Sequence, residues 1–263
     1  MPHINIAAET LFTIAGFPIT NALIASWITV GVLVFLILGV RRLQTIPAGM
    51  QNVFEVFVEG SLALMEGVLG SREKAEKYLP LVAAIFLFIL TSNWIGILPG
   101  VGSIEYIAAG AHGAEERLPL LRSAASDLNF TLALGITAVV LVNAAGIRAL
   151  GARTHLAKYF TFKNPIRAFV GILEFISEFA KIVSFSFRLF GNVFAGEVLL
   201  TVAAFVAALL TPAFLSSLQS GFIALTLLPF LALEIFVGFV QALVFAMLTM
   251  VFISIAVAHQ ESH

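Results

Sequence analysis

From Pro165 the chain runs to Leu210, 46 residues, with glycine as its sole helix breaker. As one helix this stretch is roughly 69 Å long at 1.5 Å per residue, more than twice the roughly 30 Å hydrocarbon core of a bilayer. A second stretch, residues 221–258, amounts to roughly 57 Å by the same rise, with Pro229 as a possible kink. Pro212 and the run "SSLQSG" separate the two. Neither fits a bilayer perpendicular to its plane, and ordinary tilts of about 20° do not absorb the excess. Either each stretch is broken, or the pair is a strongly tilted helical hairpin; the tilted hairpin is the favoured reading. The 263 residues are 60% hydrophobic and 11% charged, against about 25% charged in soluble domains. With a mean hydropathy of +1.05, the chain reads as a single integral domain of an all-α polytopic membrane protein, embedded in the lipid bilayer.

The first spanning helix is expected over residues 20–41, ending at Arg41 and Arg42. Residues 46–70 carry Glu55, Glu59 and Glu66 at helical spacing among Val, Phe and Leu, an amphipathic helix suited to the membrane surface. Two more spans are expected over 78–99, with Trp94 near the interface, and over 127–150, with Asp127 and Asn129 at its mouth. Between them lies a polar loop holding His112, Glu115, Glu116, Arg117 and Arg122. The architecture is thus three spanning helices, one surface helix, and the hairpin 165–210 and 221–258. The N-terminus lacks a basic region and reads as mature sequence rather than as a signal peptide.

Charge orients the spans. The segment Arg41–Lys77 and the segment Arg148–Arg167 each hold five Lys or Arg, the loop 101–125 holds two, and the N-terminal tail none. The positive-inside rule puts the N-terminus outside. The two remaining cations, Lys181 and Arg188, lie inside an apolar segment, and no Lys or Arg follows Arg188.

At 100° per residue, Glu174, Glu178, Lys181, Ser184, Arg188 and Asn192 share one helical face about 120° wide. Glu197 falls opposite Arg188. In the second long helix Glu234 and Gln241, seven apart, share a face through Gly238. Bland readings exist for several of these. Ser184, Asn129 and Thr249 suit interhelical hydrogen bonds of about 0.6–2 kcal/mol, and Glu178 with Lys181 suits an i, i+3 ion pair. Arg188 resists such a reading, because a central arginine costs at least about 2.5–3.5 kcal/mol and marks an ion path or a counter-ion. Glu197 and Glu234 lie equally deep, with no cation nearby in sequence. A carboxyl in a hydrated, low-dielectric cleft takes and releases protons near neutrality, whereas arginine stays charged and acts as barrier and counter-charge.

The run "SFRLFGNVFAGE" followed by "GFVQALVFAMLTMVFIS", with "TSNWIGILPG" and "SDLNFTLAL" upstream, resembles subunit a of the F-type ATP synthases, from about Leu79 to the end. The resemblance implies a stator beside a ring of c subunits, with b-type peripheral stalk subunits and the remaining ATP synthase subunits as partners. Protons would enter by one half-channel, ride the ring on its carboxylates and leave by another. By the resemblance Arg188 is the essential arginine between them. Asn192, Glu197, Glu234 and Gln241 belong to the outer half-channel, with Asp127 and Asn129 at its mouth. Glu174, Ser177, Lys181 and Ser184 match inner positions, with Glu178 beside them. Some bacterial relatives carry histidine where this chain has Glu234, so Glu197 and Glu234 are expected to share a proton or water cluster with coupled titration.

The resemblance implies no cofactor and no metal, and a bacterial plasma (inner) membrane, with an organelle energy-transducing membrane as alternative. The chain lacks the pattern G-x-x-x-x-G-K-[ST], which leaves ATP chemistry to partner subunits. It has no cysteine, so thiol catalysis and thiolate metal sites are excluded. A net charge of −1 carries no nucleic-acid footprint. A self-contained secondary transporter or channel is the alternative, and it would require an internal inverted repeat, which the two unlike halves do not show. An intramembrane hydrolase ranks last, since neither H-E-x-x-H nor G-x-S-x-G occurs and the five histidines fall in tails or loops.

Overall fold

The computed structural model describes residues 7–39, 49–98, 101, 104–109, 115–159, 165–210 and 219–258. Five helices among these are long and apolar enough to cross a membrane. They are α1 (Asn21–Gly39), α3 (Arg72–Ile97), α4 (Leu128–Leu150), α6 (Pro165–Leu210) and α7 (Gln219–Ala258). The protein is an all-α polytopic membrane protein. Large apolar side chains such as Phe35, Ile166 and Leu209 stand exposed along these helices, as a lipid solvent permits and water does not. At 46 and 40 residues, α6 and α7 cross a bilayer only when strongly tilted.

Helix ends follow local chemistry. Thr20 Oγ1 accepts the Leu23 N–H at 3.2 Å and so caps α1. Asp127 Oδ1 accepts the Asn129 N–H at 3.0 Å at the start of α4. Ahead of α3, Ser71 Oγ accepts the Lys74 N–H. The helix therefore starts at Arg72, six residues before the expected Tyr78, because "REKAEK" is polar yet rich in good helix formers. The amphipathic helix α2 (Met50–Leu69) ends at Gly70, whose positive φ of 75° lets its N–H reach the Glu66 carbonyl. Residues 40–41 of the first expected span, 46–48 of the amphipathic helix, Pro99, His112, Pro212 and the first half of "SSLQSG" lie outside the described residues.

Two antiparallel hairpins depart from the expected tail and polar loop. One pairs β1 (Thr10–Ile14) with β2 (Phe17–Thr20), and the other pairs β3 (Glu105–Ala109) with β4 (Glu115–Pro119). A 3-10 turn, Ala124–Ser126, leads into α4. The remaining short helix, α5 (Ala152–Ala157), carries a buried His155 where the sequence expects a loop histidine.

By packing, the residues form two units. The first is Met1–Leu33, Phe88–Thr131 and Arg188–Ala242; the second is Val34–Leu87, Leu132–Phe187 and Leu243–His263. In the first unit α3 meets α7: Asn93 Nδ2 donates to Gly238 O at 3.1 Å and Trp94 Nε1 to Ile235 O at 3.2 Å. Asn21, fully buried, accepts the Glu9 and Ala22 N–H groups and donates to Pro119 O, so it clasps both hairpins. In the second unit Phe185 stacks on Phe245 at 4.4 Å and Phe57 on Phe86 at 5.6 Å. There the bare Cα of Gly135 lets α4 approach α6 closely, since a Cβ would run into Ser186 and the Ile182 carbonyl.

Candidate functional site

A cavity of about 370 Å³ lies within the first unit. Its charged lining is Arg122, Glu197 and Glu234, with Asn93, Asn192 and Thr201 among its polar residues. Glu197 and Asn192 project from α6 and Glu234 from α7. The segment between β4 and the 3-10 turn brings in Arg122, which is 7% exposed. Its Nε donates to Glu197 Oε1 at 3.0 Å and Oε2 at 3.2 Å, and its Nη2 donates to Oε2 at 3.2 Å. Nη1 donates to the Ala7 carbonyl at 3.1 Å. The second acid, Glu234, packs its carboxylate against Gly196, where any Cβ would collide with it.

Several buried polar atoms around this unit have no hydrogen-bond partner among the described residues. Two of them, Asn93 Oδ1 and Ser123 Oγ, belong to residues that line the cavity, and Ser92 Oγ and Gln241 Nε2 are similar. Buried polar atoms are ordinarily satisfied by protein or by water. The cavity has room for several waters, each needing about 10–15 Å³ of such space.

The second unit holds a different cluster. Glu178 Oε1 accepts from Lys181 Nζ at 2.8 Å and from Tyr159 Oη at 3.1 Å, and its Oε2 accepts from Asn143 Nδ2 at 3.1 Å. Asn143 Oδ1 accepts from Tyr159 Oη and meets His155 Nε2, both at 3.0 Å. The cluster borders a groove of about 290 Å³ between α4, α5 and α6. Burial first, and then the Glu178 charge, hold the Tyr159 phenol well above its usual range. On the same unit Glu174 pairs with Lys158 at 3.3 Å.

The sequence-predicted residues therefore fall into groups. Asn192, Glu197 and Glu234 share the cavity. Gln241 is buried on α7 and is not part of that lining. Asp127 and Asn129 form the cap of α4 and also lie outside it. Glu178 and Lys181 pair as an i, i+3 couple. Ser177, Ser184 and Arg188 lie exposed along α6. Sequence reasoning missed Arg122, which is 75 residues from Glu197, together with Asn143, His155 and Tyr159. Among the described residues no group of three or more His, Asp or Glu is placed to hold a metal.

A family profile for the ATP synthase A chain matches residues 23–254. The chain belongs to the ATP synthase A chain family. Its relatives include the ATP synthase subunit a of Campylobacter fetus subsp. fetus, 33% identical over 238 residues, covering 90% of each chain. The ATP synthase subunit a of Moorella thermoacetica is 31% identical over 248 residues, covering 93% of this chain and 94% of its own. That of Mycobacterium bovis is 34% identical over 218 residues, covering 83% and 78%. The matched span contains both polar clusters, while the β1–β2 hairpin and Ala7 precede it.

Proposed function

We propose that this chain is the ion-translocating stator subunit of a rotary F-type ATP synthase, carrying H⁺ to and from the carboxylates of a c-subunit ring. It contributes no ATP chemistry; that belongs to partner subunits, held with it by b-type peripheral stalk subunits. The carrying observation is the division of space along α6. Helix α6 gives the first unit's cavity residues from Asn192 to Thr201, all C-terminal to Arg188. To the second unit's groove it gives residues from Phe175 to Ile182, all N-terminal to Arg188. In the order of the chain, the α6 residues that line each space thus fall on opposite sides of a permanent cation, which is what two offset half-channels require.

In this reading the outer half-channel contains Asn192, Glu197, Glu234 and Gln241, with Asp127 and Asn129 towards its mouth. The inner half-channel follows Glu174, Ser177, Glu178, Lys181 and Ser184. Arg188, exposed on α6, draws in the deprotonated ring carboxylate and repels protons that would pass directly between the paths. Its insertion cost of at least about 2.5–3.5 kcal/mol is offset when that carboxylate stands before it. The chain is a single domain of a bacterial plasma (inner) membrane, N-terminus outside.

The test is Arg188→Ala in the assembled complex. ATP-driven proton uptake into vesicles should fall to background while the subunit still co-purifies with the ring. Near-normal uptake would overturn the assignment.

A further inference from the structure

The first unit contains two cavity acids in different situations, and the difference assigns them different work. Glu197 is gripped at both oxygens by Arg122, itself 7% exposed and tied back to the Ala7 carbonyl. A guanidinium does not lose its proton. A carboxylate held this way has its orientation fixed, as in bidentate pairs generally. Glu234 lines the same cavity with its carboxylate against the backbone of Gly196. Arg122, Glu197 and Glu234 are the charged side chains of the cavity lining, which takes only neutral residues such as Asn93 from α3. The segment supplying Ala7 also carries one acid, Glu9.

We infer that Arg122 is a positioning residue that engages Glu197 and holds it in place, leaving Glu234 as the group that exchanges protons in the cavity. Arg122 thereby keeps Glu197 from competing with Glu234 for each incoming proton. This rests on the half-channel reading above.

The experiment measures ATP-driven proton pumping against pH in the intact complex reconstituted in vesicles, with subunit content checked by immunoblot. Loss of a group that itself transfers protons costs about 10²-fold or more. Glu234→Gln should therefore lower pumping at least about a hundredfold, and Glu197→Gln should lower it clearly less. Arg122→Gln releases Glu197, so the pH profile should shift or gain a second step. Arg122→Lys should restore the original profile in part. The double variant Arg122→Gln/Glu197→Gln should lack the second step, a readout that a merely structural arginine would not produce.

Equal loss in Glu197→Gln and Glu234→Gln would overturn the division of roles, as would an unchanged profile in Arg122→Gln. If Arg122→Gln fails to assemble, the double variant decides: recovery of assembly with a single-step profile supports the lock, and failure to recover overturns it. Arg188→Ala run in parallel separates the two levels. Persisting uptake there sinks the half-channel reading itself, whereas its loss beside equal glutamate effects sinks only this inference.

Discussion

The two units each bring acids, amides and a cation together, but the acid at the centre of one is held by several donors while one acid of the other faces a cavity. In the second unit Glu178 accepts from Lys181, Tyr159 and Asn143, and Asn143 in turn meets Tyr159 and His155. In the first unit Glu234 and the Arg122–Glu197 pair line a cavity of about 370 Å³, and Asn93 and Ser123 leave buried atoms without partners among the described residues. A network of this kind resists rearrangement, because each broken bond leaves a polar group without its partner. The acid beside the cavity has room for water instead. The same residue types are therefore tied to one another in one unit and left facing a hydratable space in the other.

The sharpest way to break this contrast is to compare Glu178→Ala with Glu234→Ala. Removing Glu178 takes an acceptor from Lys181, Tyr159 and Asn143 together, and should cost about 1–3 kcal/mol, the range for leaving polar partners unsatisfied. Removing Glu234 should change stability by less than about 1 kcal/mol, while transport falls. Thermal unfolding of the purified complex checks both, and equal losses would erase the distinction.

Glycine substitutions give an effect of the same kind. A Cβ at Gly146 would strike the buried His155 ring and close on the Ala256 carbonyl, so Gly146→Ala should destabilise by about 1–3 kcal/mol through overpacking. The atoms nearest a Cβ at Gly196 belong to the flexible end of Glu234. Gly196→Ala should therefore leave the melting temperature within a few degrees, since about 1 kcal/mol corresponds to about 2–4 °C at this size, yet slow proton pumping. A melting loss in Gly196→Ala matching that in Gly146→Ala would count against the flexible-neighbour argument.

The smallest effect belongs to the surface of the second unit. There the Arg72 guanidinium, by hydrogen bonding first and charge second, holds the Glu59 carboxyl below its usual range. A depressed carboxylate contributes stability that is present above its unfolded pKa of 4.5 and is lost as pH falls through its folded value. Amide exchange at the α2–α3 junction should rise in that acidic window, below pH 4.5. In Arg72→Gln, which removes the cause of the depression, this acid-induced rise should be lost and exchange should already be raised at neutral pH, and added salt should mimic that change.

Much of the scaffold is legible in the chain. Helix α6 can be read because its 46 residues begin at a proline and meet no other before Leu210. The amphipathic α2 shows in the spacing of Glu55, Glu59 and Glu66. The hairpins are not legible, since strands of four or five residues leave no periodic signal longer than a turn. Within the candidate site, helical angles place Glu174, Glu178, Lys181, Ser184, Arg188 and Asn192 along one face. They cannot reveal that Arg122 lies against Glu197, because contact between a loop cation and a distant helix is set by tertiary packing. Asn143 and His155 were hidden similarly: an amide in an apolar run and a histidine beside a basic stretch look like filler until α4, α5 and α6 close on them.

The bare backbone at Gly196 lets the Glu234 carboxylate lie directly against α6. A side chain at position 196 would turn that carboxylate aside, so where Glu234 stands in the cavity depends on a residue with no side chain of its own.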